Sequence, residues 1–242
     1  MSIWTVAGAA ALTLACTFGA SATTIKVSTF DAGSYNSSFG GPNATGEDFE
    51  TLGANMGEGE VGASLGTAVG TFESLGGTGT GGSVIGTGTE LALRDGKLFG
   101  RQNTVPQGGS WFLDSNDTWG MKWDVETGGL FNKLTFVVND GSDVGAFLRI
   151  IAGGETKELR TGGKLPNGNA RLVQIKFGEH IDSAEIILGN FFTSGGDRYK
   201  LNDGFSIDGI EVSAVPLPAS VLLLGAAMGG LGWAGRRKAR KA

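Results

Sequence analysis

The chain has 242 residues, 44 of them Gly, with one Cys, one His and a formal net charge of −5. Its 24 Asp and Glu outnumber 19 Lys and Arg, which argues against a nucleic-acid partner, whose affinity comes from neutralising phosphates. One Cys excludes an intrachain disulfide, and a Gly share far above the usual ~7% argues against a helical fold.

Residues 1–22, MSIWTVAGAAALTLACTFGASA, carry no charge and are apolar from Ile3 to Ala15. They end in Ala20-Ser21-Ala22, a small-x-small pattern suited to signal peptidase, although no Lys or Arg precedes the apolar run. The expectation is a signal peptide removed before Thr23. Cys16 would leave with it, and thiol catalysis and thiolate metal sites with Cys16. Thr13 stands where a lipobox needs an aliphatic residue, which disfavours lipid attachment at Cys16.

The stretch 23–214 reads as one all-β ectodomain, long enough to build its own core. A first strand is expected near Thr24 to Phe30, pairing beside the last strand. From Gly53 to Thr89 the chain is dominated by Gly, Thr, Ser and Ala, a flexible composition. The echo of Phe49-Glu50-Thr51-Leu52-Gly53 in Phe72-Glu73-Ser74-Leu75-Gly76 suggests two similar edge strands. TELALRDGKLFGR is a hairpin candidate, with Asp95-Gly96 as a type I′ turn. Met121, Trp123 and Val125 then alternate with Lys122, Asp124 and Glu126, a strand with one buried face. Leu134, Phe136 and Val138 make another, and Ala146, Leu148, Ile150 and Ala152 a third. Val173, Ile175 and Phe177 follow, then Ala184, Ile186 and Leu188. In the final strand Phe205 and Ile207 fall out of phase with Ile210, Val212 and Ala214. Asp208-Gly209 is therefore expected to form a β-bulge that restores the face. Many short strands with Gly-rich turns predict a jelly-roll-like β-sandwich.

Residues 215–242 read VPLPASVLLLGAAMGGLGWAGRRKARKA. Pro216 to Gly235 carry no charge, and about 20 apolar residues in a helix cross a bilayer. A transmembrane helix is expected over 217–235, followed by the basic tail 236–242 with Arg236, Arg237, Lys238, Arg240 and Lys241. Clustered cations stay on the cytoplasmic side, so the ectodomain would face away from the cytoplasm. Without these five cations the balance is 14 basic against 24 acidic residues.

Val215-Pro216-Leu217-Pro218-Ala219, the apolar span and the Arg-rich end resemble the VPLPA-type variant of the PEP-CTERM sorting signal. The segments Leu113 to Val125 and Asn202 to Val212 also look like ectodomains of that family. The resemblance implies an exported bacterial protein handed to an exosortase, a membrane-embedded cysteine transpeptidase-like enzyme, and linked to exopolysaccharide or biofilm production. It implies a location at the cell envelope or outside it, with the C-terminal helix as membrane anchor before processing. It implies no enzymatic activity.

Candidate chemistry is sparse. His180 is the sole His and has no nucleophile motif around it. Calcium needs six to eight hard oxygens. Acidic and amide side chains gather at Asp114, Asn116 and Asp117, at Asp140 and Asp143, and at Asn202, Asp203 and Asp208. None has EF-hand spacing, and the choice for a calcium site falls on Asp203 and Asp208. Sugar binding needs exposed aromatic faces beside polar groups. Trp111, Trp119, Tyr35 and Tyr199 are available, and Trp111 and Trp119 flank the Asp-Asn cluster. Trp123 belongs inside. The reading is a non-catalytic surface or matrix protein that needs no cofactor unless calcium binds. The alternatives are a secreted polysaccharide-active enzyme or a calcium-dependent carbohydrate-binding module.

Overall fold

The computed structural model describes residues 22–38, 44–79, 84–105, 108–196 and 201–214. In chain order the elements are β1 (Thr24–Thr29), α1 (Ala32–Ser38), β2 (Thr45–Glu47), α2 (Glu50–Met56), β3 (Gly59–Glu60), β4 (Leu65–Thr67) and β5 (Gly70–Ser74). They continue with β6 (Ala92–Asp95), β7 (Lys97–Leu98), β8 (Arg101–Gln102), β9 (Trp111–Asp114), β10 (Gly120–Asn139), β11 (Phe147–Ala152), β12 (Glu155–Glu158), β13 (Ala170–Phe191) and β14 (Ser206–Ser213). Among the described residues the fold is all-β with two short helices.

Two long antiparallel strands, β10 and β13, form the spine. The first half of β10 pairs with β5 on one side, Trp123 opposite Phe72, and with the second half of β13 on the other, Trp123 opposite Ile186. The second half of β10 pairs with the first half of β13, Leu134 opposite Ile175, and with β14, Leu134 opposite Val212. Between Glu126 and Lys133 the β10–β13 register shifts twice. Gly128 lies at the break with φ 72°, a conformation other residues adopt at a cost. The alternation of apolar residues holds on both sides of the break. Met121, Trp123 and Val125 are buried, as are Leu134, Phe136 and Val138, and all six join one core.

The sheet order is β12-β11-β13-β10-β14-β9-β6-β3, with β1 added to β13, β2 to β14, and β5 with β4 to the first half of β10. The first strand therefore does not lie beside the last one as the sequence suggested. It pairs with β13, Ile25 opposite Ile175, with β10 between it and β14. The place beside β14 goes to β2, Gly46 opposite Glu211. A smaller cluster of Tyr35, Val137 and Leu172, joined by Phe30 and Val105, covers the second face of the spine, so β14 and the end of β10 are buried on both sides.

Other local expectations are corrected in instructive ways. The Phe49 segment is not a strand but the start of α2, whereas Phe72 lies in β5 between β4 and β10 rather than at an edge. What the echoed segments share is a buried Phe, and the two rings meet edge to face at 6.2 Å. Asp95-Gly96 does not close a hairpin, because β6 pairs with β3 and β9. Only Gly96 of that pair has positive φ. The hairpin comes one step later, β7 to β8 across Phe99-Gly100, where both residues have positive φ (54° and 119°). The bulge in β14 is where the phase change put it. Thr135 faces Glu211 and Val137 faces Asp208, which leaves Gly209 and Ile210 opposite Phe136 alone, with Gly209 at φ 55°.

Candidate functional site

The turn after β9 gathers Asp114, Asn116 and Asp117, with Asn116 and Asp117 both left-handed (φ 54° and 57°), a conformation these side chains tolerate. Asp114 is fully buried. Its Oδ2 accepts from Arg94 Nε at 2.8 Å and its Oδ1 from Arg101 Nη1 at 2.9 Å. Asp117 Oδ1 accepts from the same Arg101 nitrogen at 3.1 Å. Asn116 accepts from the Ile85 N–H and donates to the carbonyls of Ile85 and Glu90. Two guanidinium groups thus supply the positive charge that calcium would bring. The cluster is an internal clamp holding residues 85–90 against the sheet.

Asp203 and Asp208, chosen from the sequence as a pair, serve different segments. Asp208 is buried, and its Oδ2 accepts the N–H groups of Thr104 at 2.7 Å and Val105 at 2.9 Å, while Oδ1 accepts that of Gly209. Burial pushes its carboxyl up to about 8 against the pull of these three donors. Asp203 instead faces the β10–β11 turn, where its Oδ2 accepts from the Ala146 N–H at 3.3 Å. Burial, with Asp143 second, raises Asp203 to about 7. Asp140, across the same turn, is raised to about 7 by burial, opposed by the Gly168 N–H. Among the described residues no three His, Cys, Asp or Glu side chains are grouped closely enough to hold a metal ion by themselves.

Beside the Asp208 anchor lies an open groove of about 870 Å³, bounded by Tyr35, Glu47, Asp48, Thr51, Thr67 and Val105. Its walls come from α1, β2, α2 and β4, four short elements hung on the edge of the spine. Glu47 ties two of them together, accepting the N–H groups of Phe49 and Ala68. Tyr35 donates to the Gly209 carbonyl and is 3% exposed, so its ring closes the floor and offers no face to a ligand. Burial, with Asp208 second, holds its hydroxyl protonated well beyond the ordinary tyrosine range.

The two tryptophans singled out from the sequence are half-buried and lie outside this groove. Trp111 packs on α2 so closely that a Cβ built on Gly53 would lie 2.0 Å from its Cδ2. Trp119 packs on Gly76-Gly77, where a Cβ on Gly77 would lie 2.6 Å from Nε1. His180 lies within β13, one residue before Ile181, which pairs with Phe131 at the bend. The groove was not legible beforehand, since α2 was read as an edge strand, β4 as part of a flexible Gly-rich stretch, and no element was expected at α1 or β2. Tyr199, the sorting motif Val215 to Ala219, the 217–235 span, the basic tail and the leader apart from Ala22 lie outside the described residues. Among the described residues no helix is long and apolar enough to cross a membrane. Comparison with protein-family models and with curated proteins finds no match to this chain.

Proposed function

We propose that this chain is a non-catalytic exported protein of the cell surface or extracellular matrix, sorted by an exosortase-type system and associated with exopolysaccharide. The observation that carries the reading is the ordered tail: Val215-Pro216-Leu217-Pro218-Ala219, then an uncharged span, then five clustered cations. In this reading signal peptidase removes residues 1–22, the 217–235 helix holds the chain in the membrane, and the exosortase acts at the motif. The ectodomain is a jelly-roll-like sandwich, whose facing layers are the two halves of the bent β10–β13 spine. The acidic surface and the groove between α1, α2, β2 and β4 suit a neutral or cationic glycan better than a nucleic acid. The groove's threonine hydroxyls and carboxylates beside apolar walls are polar groups of the kind that orient a small ligand in a pocket.

The test has two arms. Deleting Arg236 to Lys241 in the native host should impair retention or processing, read from the intact mass of the product. An unchanged mass and topology would remove the sorting reading. A glycan array on the purified protein, beside a reducing-sugar release assay, tests the rest. Binding without release supports the proposal, and release of reducing ends replaces it with a polysaccharide-active enzyme.

A further inference from the structure

We infer that Asp143 and Asp203 together hold a divalent cation, of calcium's chemistry, where the turn after β10 meets the segment leading into β14. The sequence separates these residues by sixty positions, and the topology joins them because β10 and β14 are neighbours in the sheet. Asp203 is 4% exposed, and its Oδ1 is shielded from solvent without a hydrogen-bond donor. Asp143 Oδ1 is likewise shielded and without a donor. The two side chains are within hydrogen-bonding reach of each other. Carboxylate oxygens are acceptors only. Main-chain N–H groups of Asp143 and Val144 bond one carboxylate and those of Gly145 and Ala146 the other, but none stands between the two facing oxygens, which repel unless a proton or a cation does.

The one guanidinium that acts on Asp143 is that of Arg101, which lies against Gly204 but spends its hydrogen bonds on Asp114 and Asp117. Asp140, at the start of the turn, spends its Oδ1 on the Gly168 N–H at 2.6 Å and is not close enough to serve as a third carboxylate ligand. Fully buried Asn190 donates from Nδ2 to the Asp203 carbonyl at 2.7 Å and leaves its own Oδ1 without a donor. Arg160 is engaged elsewhere, donating to the Gly145 carbonyl while lying over the Phe147 ring. The turn itself is fixed, with Asp140 and Ser142 left-handed (φ 63° and 65°) and Ser142 Oγ accepting the Leu148 N–H. Two carboxylates supplemented by amide, main-chain and water oxygens match the ligand set of calcium. Magnesium would demand a tighter octahedron. So few charged ligands place the affinity near that of extracellular modules, about 10⁻⁴–10⁻³ M. This inference stands apart from the sorting reading, because it rests on the ectodomain alone.

The experiment is a calcium titration of the full chain, solubilised in detergent and stripped with EDTA, followed by melting temperature and calorimetry. The expected result is a rise in Tm of several degrees, half complete at about 10⁻⁴–10⁻³ M calcium. Asp143→Asn, at a half-exposed position that leaves the core intact, should weaken binding at least about tenfold by removing one charged ligand. Asp208→Asn should keep the calcium response. No shift in Tm up to 10-fold above that range, or a response that survives Asp143→Asn, overturns the inference. The second result would mean that calcium binds elsewhere, and the first that the pair shares a proton.

Discussion

Trp123 and Phe136 belong to the same strand, thirteen positions apart, yet their rings meet edge to face with centroids 5.8 Å apart. A straight strand rises about 3.3 Å per residue and would separate them by roughly 40 Å. The contact therefore requires β10 to double back at the Glu126–Lys133 irregularity, and the two rings hold the halves together. Trp123 also stacks on Phe72 at 5.2 Å and donates from Nε1 to the Val69 carbonyl. It is fully buried. Trp123→Ala should cost about 3–5 kcal/mol, the range for removing a large core aromatic. Urea unfolding measures it, and a midpoint equal to the parent's would mean that the halves do not close on this residue.

The strand cores were readable from the sequence because burial on one face imposes a period of two. Met121 to Val125 and Val173 to Phe177 carry that signal plainly. What could not be read was that two pairs of predicted strands are single long ones. Thr127-Gly128-Gly129-Leu130 looks like a turn, and the alternation lapses there because the corner is solvent-facing, with Leu130 63% exposed. Helix α2 was hidden by Gly53, a poor helix former, whose presence is explained only by Trp111, far away in sequence. The candidate sites suffered most. Asp114 was visible as part of a polar cluster, but the arginines that neutralise it lie thirteen and twenty positions upstream. Asp143 and Asp203 meet only through strand pairing.

Gly53 gives a sharp test of the α2–β9 contact. Its φ is ordinary for a helix, so Ala is favoured there by propensity. The added Cβ would nevertheless sit 2.0 Å from Trp111 Cδ2 and 2.2 Å from Cε3. Steric conflict should win, and Gly53→Ala should destabilise by about 1–3 kcal/mol, the cost of overpacking. Pairing it with Trp111→Ala should recover part of that loss. Denaturation of the two single variants and the double variant, as a cycle, checks this through a non-additive total.

The Asp114 clamp should be intolerant of losing its acid. Asp114→Ala leaves Arg94 and Arg101, both nearly buried, without the carboxylate that joins them. Breaking a buried pair outright costs about 3–5 kcal/mol, and the loss here should fall toward the lower end, because Asp117 still meets Arg101 and Glu58 still meets Arg94. The segment 85–90 should loosen as well, since the Asn116 N–H donates to Asp114 Oδ1 and Asn116 grips that segment. Hydrogen exchange is the discriminating measurement. Faster exchange at Ile85 in Asp114→Ala is expected, and protection equal to the parent's would count against the clamp.

Asp208 predicts how stability responds to pH. Its folded carboxyl titrates near 8, above the ordinary 3.8, because burial outweighs three backbone donors. The folded state therefore binds more protons than the unfolded state between those values. By linkage, the stability contributed by this group is fully present below about pH 4 and is lost as pH rises through about 8. Each pKa unit corresponds to about 1.4 kcal/mol. Asp208→Asn cannot ionise, and its amide oxygen still accepts from the Thr104 and Val105 N–H groups. The variant should match the parent near pH 4 and lose less stability than the parent between pH 5 and 8. Unfolding free energies across that range decide it. Parallel curves for the two proteins would mean that Asp208 stays ionised in the fold, with its three N–H donors prevailing over burial.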